Sequence, residues 1–500
     1  VLRRNPLIVF GSISLAFYLA MWNLSLSFNW GEGYAQRPII AYLVIYAALF
    51  VLYALGAVYV WRTGENKKTL WTLIVFGLLF RAAIMPSQQI QEDDVYRYLW
   101  DGKVFAHGIN PYKYAPEQVE QFKELLARDP VLFQSTCSDE NLEELLFLYD
   151  LKWENDTARV FKERINHPDV PTIYPPLAQY VFRAVHNIRP DSIIAMRLAF
   201  LLFDLTALLF IILTLKELGL SRNYSLIYFW SPLVIKETFN STHLDIIGLS
   251  LLCVSIYWLV KKRVSAASVF LALSALGKLY PIILFPLYLR HAALAETPGG
   301  KRQWGQPLLC AALFAAVIGT FYLPFIQIGK GAFEGLRVFS TYWQSNDSIF
   351  ALMTFFYGEA LEALAINSQN EYLFAYDLPS MLSKLTVLAI LGGTLLYLLY
   401  KPGKSCLRDI FLIMTLVFLL SPVQNPWYLC WVVPFLCFYQ WRSLVLLTGL
   451  VNIYYVEFYL DYQDLSQYMP WLPWVEYAPF YILFAWEARR KYVAGRTAKP

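Results

Sequence analysis

Residues 193–215 read IIAMRLAFLLFDLTALLFIILTL, an apolar run of the length that crosses a bilayer as one helix. Similar segments recur along the chain near 6–22, 39–61, 70–84, 224–238, 244–260, 264–278, 279–292, 306–325, 378–400, 409–422, 427–441, 443–459 and 477–489. Several fall short of the ~20 residues that a perpendicular helix needs, which allows broken or interfacial pieces among them. The composition agrees with this pattern. Hydrophobic residues make up 58% of the 500 and charged residues 16%, against roughly 45–50% and about 25% in soluble domains. The expected fold is an all-α polytopic membrane protein, a bundle of roughly 12–14 transmembrane helices forming one domain over residues 1–500.

Charge orders the spans. If Arg3 and Arg4 lie in the cytoplasm, every second connection should be rich in Lys and Arg. Those connections carry Arg62, Lys67, Lys68, Lys216, Arg222, Lys261, Lys262, Arg263, Arg290, Lys301, Arg302, Lys401, Lys404, Arg408 and Arg442, and the tail adds five more. This side collects 22 of the 41 basic residues, which places both termini in the cytoplasm. Residues 85–191 then form a long external loop holding 18 of the 37 acidic residues. Within it, 118–127 and 140–148 show the helical spacing of amphipathic surface helices. A net charge of +4 argues against nucleic-acid binding. None of the six cysteines forms a CxxC pair, so neither a disulfide framework nor a zinc site is expected.

Unusual polar residues gather on the external side. The stretch Gln91 to Gly102 opens with Glu92, Asp93 and Asp94, whose mutual repulsion raises the proton affinity of at least one. Arg97 can face one of them across a helical turn, and a carboxylate so placed suits a general base. The same acids also suit a helix N-terminus. Ala106 to Tyr112, with Asn110-Pro111, reads as a turn. Tyr174-Pro175-Pro176 reads as a helix start with an interfacial ring. Pro232 breaks the run that leads through Lys236 and Glu237 to His243 and Asp245; there Asp245 could cap a helix while His243 points into a cavity. Lys278 ends a span on the side where lysine is disfavoured, so an anionic partner such as phosphate explains it better than snorkelling. Phe339 to Asn346, including Trp343, and Ser421 to Tyr428, including Asn425 and Trp427, mix aromatic rings with amides and hydroxyls. Such segments suit either a sugar or the interfacial aromatic belt. Arg337 offers a further phosphate or carboxylate contact. No P-loop, Rossmann, HExxH or nucleophile-elbow pattern is present, and the cytoplasmic loops are too short for a nucleotide-driven domain. Chemistry or transport at the outer face remains.

The run Asp93-Asp94-Val95-Tyr96-Arg97-Tyr98-Leu99-Trp100-Asp101-Gly102 followed by Gly108-Ile109-Asn110-Pro111-Tyr112 resembles the first external loop of bacterial polyprenyl-phosphate-mannose-dependent mannosyltransferases of the GT-C superfamily. The likeness continues in order through Tyr174-Pro175-Pro176, His243-Leu244-Asp245, Lys278-Leu279-Tyr280-Pro281, Trp343 with Asn346, and Pro426-Trp427-Tyr428. It implies a GT-C-like bundle whose long loop is catalytic. The implied reaction is metal-independent, inverting transfer of a sugar, mannose first, from a polyprenyl-phosphate donor to a hydroxyl of a glycan or glycolipid acceptor, without a cofactor. The resemblance makes Asp94 the base, with Asp93 as runner-up, and Lys278, Arg97 and Arg337 the phosphate-binding groups. His243, Asp245, Tyr174, Trp343, Asn346, Asn425, Trp427 and Tyr428 would bind sugar or substrate. Asn425 departs from the pattern, since relatives often carry His there. The implied setting is a bacterial cytoplasmic membrane with the active site facing the periplasm or exterior. The competing expectations are a lipid-linked-saccharide flippase or transporter, which would show repeated halves, and a non-catalytic scaffold.

Overall fold

Asn5 accepts a hydrogen bond from the Leu7 amide and Pro6 occupies the first helical position, so helix α1, Pro6–Ser25, starts where the apolar run starts. The computed structural model describes residues 5–31, 33–128, 139–294, 305–363, 378–401, 403 and 405–497. Cys137, Arg3, Arg4, Lys301, Arg302, Lys404 and Lys499 lie outside them. Helices α2, Ile39–Arg62, and α3, Lys67–Ile84, follow. Next come α4, Asp94–Ala106, α5, Gln118–Arg128, α6, Asp139–Lys152, and α7, Asp156–Glu163, then α8, Pro176–Ile188. The stretch read first is α9, Ile193–Glu217, opened by Ser192, which accepts from the Ala195 amide.

The protein is an all-α, polytopic integral membrane protein: six helical stretches among the described residues are long and apolar enough to cross a bilayer. Other expected spans take the form of shorter or interrupted helices. Asp245–Val260 (α10) and Val264–Gly277 (α11) are apolar but short. The run at 224–238 is divided into Leu226–Phe229, Pro232–Ile235 and a π-turn at Lys236–Asn240. The run at 427–441 holds only Pro426–Leu429 and Val433–Leu436. Each of these breaks has a proline at a helix start, where the missing amide costs nothing. The interruptions bring backbone and charged side chains to one depth. Tolerating that requires burial against protein or a wet cavity.

Two charges inside α9 show how this is done. Asp204 takes the Arg81 guanidinium of α3 and the Tyr228 hydroxyl, the latter at 2.7 Å. Arg197 donates to the carbonyls of Met85, Ser87 and Asn240 and to Thr242 Oγ1. It thereby ties the end of the α3 loop to the turn before α10. Close helix approach does the rest. A Cβ on Gly277 would lie 2.8 Å from the Gly248 nitrogen, and one on Gly102 would lie 2.6 Å from the Phe182 carbonyl. Glycine at both positions lets α10 meet α11 and α4 meet α8. The described cysteines, Cys253, Cys310, Cys406, Cys430 and Cys437, are free thiols.

Candidate functional site

The turn chemistry assembles a cavity of about 560 Å³ between the start of α4, the segment 166–174, the end of α11, and the loops at 339–345 and 423–428. Asp93, Asp94, Arg97, Tyr174, Lys278, Trp343, Asn425, Trp427 and Tyr428 all line it. Nine of the thirteen expected site residues therefore share one wall or another, although Asp93 and Tyr428 are 335 positions apart.

The acidic run is arranged differently from its spacing. Arg97 was expected to face one of the three preceding acids. It pairs instead with Asp101, one turn onward, at 2.8 Å, and donates to the Val170 carbonyl. Asp93 is held by Arg164. Burial lifts the Asp93 carboxyl above its ordinary range in spite of that guanidinium. Burial also works against charge on Asp94, but the His243 imidazole and then Lys278 carry it below the usual carboxylate range. Glu92 is pushed up to about 7, first by burial, with Glu237 and Asp94 adding to the rise.

His243 does not point into the main cavity. It stands behind Asp94, with Nδ1 3.5 Å from Asp94 Oδ2 and Nε2 3.3 Å from Glu237 Oε2. These are ion-pair contacts without hydrogen-bond alignment. Its ring stacks on Trp427 at 4.0 Å. Glu237 in turn meets Lys236 at 3.2 Å and accepts from the Tyr455 hydroxyl, which also contacts Lys236. The positive φ of Thr242 and the π-turn before it place these alternating charges in one line.

Asp245 was expected as a helix cap, yet its side chain caps nothing. It holds Lys278 at 3.3 Å and the Trp431 indole at 2.8 Å. Lys278 has the anionic neighbour its position demanded, and that neighbour is Asp245. Asn346 lies behind the cavity wall, donating to the Gln424 carbonyl and to Glu476, while Ser345 and Val423 form an isolated bridge. Arg337 does not line the cavity: its exposed guanidinium pairs with Glu334 on helix α12, Glu334–Tyr342. The Glu334-x-x-Arg337 spacing was a readable signal for that pair. Residues missed by sequence reasoning include Asn166, His167 and Tyr454, while Glu92, Lys236 and Glu237 were noticed but given no role of their own. Among the described residues, no group of three or more His, Cys, Asp or Glu is placed to hold a metal ion.

Fold and site together define a polytopic membrane protein with a charged, aromatic-lined cavity at the level where its spans break. Residues 170–345, about a third of the chain, match the model of the family described as GPI transamidase subunit PIG-U. No curated protein and no solved structure matches. The matched stretch contains Tyr174, Lys236, Glu237, His243, Asp245, Lys278 and Trp343; the acidic run and Asn425 to Tyr428 lie outside it. This finding overturns the resemblance to GT-C mannosyltransferases, because the matching family is a subunit of a transamidase. The expectations of mannosyl or other glycosyl transfer, of glycosyltransferase activity, of a polyprenyl-phosphate sugar donor and of a glycan or glycolipid acceptor are corrected with it. The flippase or transporter alternative gains no support, and the bacterial setting loses its basis. The physical reason is that motifs of this kind report a polar cavity at a membrane face, which several functions share.

Proposed function

We propose that this chain is a membrane-embedded subunit of an assembly that attaches a glycosylphosphatidylinositol-type lipid to protein, and that its cavity receives the polar headgroup of that lipid. Residues 85–191 then form an extracytoplasmic loop of a single membrane domain, with both termini cytoplasmic and the cavity facing the lumen of the endoplasmic reticulum. One observation carries the headgroup reading: carboxylates, Lys278 and the rings of Trp343, Trp427 and Tyr428 converge on one cavity large enough for sugar rings. Apolar ring faces stack on sugar C–H faces, and the charged groups take hydroxyls and phosphate. Asp94 is a binding group in this reading, kept ionised by His243, while Asp93 is paired with Arg164.

The test is calorimetry on the full chain in nanodiscs with short-chain glucosyl-phosphatidylinositol, using phosphatidylcholine as control. Saturable binding of the glycolipid alone is expected. Trp343→Ala and Asp94→Asn should each weaken it about tenfold, the loss of ~1.4 kcal/mol of contact energy. Equal binding of both lipids, or unchanged affinity in both variants, overturns the reading.

A further inference from the structure

The charged groups around the cavity divide into matched and unmatched. Arg97 is matched by Asp101, Lys278 by Asp245, Asp93 by Arg164, and Asp94 by His243. Two lining groups remain. Glu92 is only 6% exposed, and its Oε1 is buried with no hydrogen-bond partner among the described residues. Arg37 is half-buried. It spends its donors on neutral acceptors, the Asn29 carbonyl and Gln91 Oε1 at 3.2 Å, and stacks over Tyr34. Gln91 is the chain neighbour of Glu92, so the two unmatched charges belong to adjoining parts of one wall.

An unpaired carboxylate buried this far costs several kcal/mol unless something completes it. The nearby cations cannot do so fully. His243 and Lys236 face Glu92, but both are already engaged by Glu237, and Asp94 adds further negative charge. Trp427, Tyr454 and Phe458 line the cavity together, with centroids 6.4 Å apart for Trp427 and Tyr454 and 5.4 Å apart for Tyr454 and Phe458. A carboxylate with several aromatic faces is the chemistry that recognises an ammonium group. We infer that the cavity is built for a zwitterionic headgroup, with an ammonium of the ligand against Glu92 and a phosphate of the same ligand toward Arg37. This rests on the headgroup reading above and names the ligand's charge pattern.

Three short-chain lipids separate the possibilities, each titrated into the full chain in nanodiscs: glucosaminyl-phosphatidylinositol, its N-acetyl form, and glucosyl-phosphatidylinositol. The free amine is expected to bind at least about tenfold more tightly than the other two, since only it makes a charge-assisted contact with the carboxylate. Glu92→Gln should bring the amine down to the level of the hydroxyl analogue and leave that analogue unchanged. Glu92→Asp, a control for folding, should retain part of the preference. Arg37→Gln should weaken all three alike. Equal wild-type affinity for amine and hydroxyl lipids, or a preference that survives Glu92→Gln, overturns the ammonium subsite and leaves the headgroup reading standing. Failure of all three lipids to bind overturns both.

Discussion

Glu92 and Asp94 sit two residues apart and are driven in opposite directions. Burial dominates at Glu92 and pushes it up to about 7, against the pull of His243 and Lys236; Glu237 and Asp94 add to the rise, and the phenols of Tyr42, Tyr454 and Tyr455 feel its charge. A carboxyl whose folded value lies above its unfolded one takes up a proton on folding. Its stabilising contribution is complete below the unfolded value near 4.5 and is lost as pH rises through about 7. At full ionisation that amounts to roughly 3 kcal/mol. Glu92→Gln is therefore expected to melt like the parent at pH 5 and several degrees higher at pH 8 in thermal-shift measurements. A parent advantage at pH 8 would show that Glu92 is paired rather than stranded. The acidic triplet was legible as a cluster, and it does line the cavity, but which of its members would be left without a partner was not legible. Which of three adjacent acids loses its partner depends on Arg164, from 71 positions away, claiming Asp93.

At the level of elements, the helices read first are the ones that hydropathy marks best, and one of the interrupted runs lines the cavity through Trp427 and Tyr428. Expected spans at 224–238 and 427–441 occur as pieces, because Pro232, Pro426 and Pro434 each restart a helix within the run. A hydropathy average sees apolar residues on both sides of such a break and cannot mark it. The backbone crossing of α10 and α11 shows how the pieces depend on the intact helices. Gly277 lies against the Gly248 backbone, Gly248 lies under Trp431, and Trp431 donates to Asp245, the partner of Lys278. Gly277→Ala must push the two helices apart, at a cost of about 1–3 kcal/mol. It should also shift Lys278, the next residue. The expected outcome is a lower melting temperature together with weaker binding of all glycophospholipid probes. A variant that melts earlier yet binds normally would uncouple this crossing from the cavity.

For the molecule as a whole, the decisive quantity is the separation of charge across the bilayer. Basic residues at Arg62, Lys67, Lys216, Arg222 and Lys261 stand at one set of helix ends, while α4 to α8 and the cavity follow from the other. Burial inside the protein is also uneven. The apolar window of helix α13, Leu378–Tyr400, is 11% buried, against 56% for Arg442–Tyr462. The first of these faces is largely uncovered by the protein itself. If the positive-inside rule fixes orientation, α5 and the start of α3 must lie on opposite sides. Glu124 and Lys67 are exposed residues on those two helices. Single cysteines placed at each, in a background stripped of the natural thiols, give a direct reading in sealed membrane vesicles. A membrane-impermeant maleimide should label only one of the two before permeabilisation and both afterwards, with Glu124→Cys on the luminal side. Equal labelling of both in intact vesicles would mean that the chain between them crosses an even number of times. The acidic loop and its cavity would then share a side with the basic connections, and a luminal headgroup could not reach Glu92.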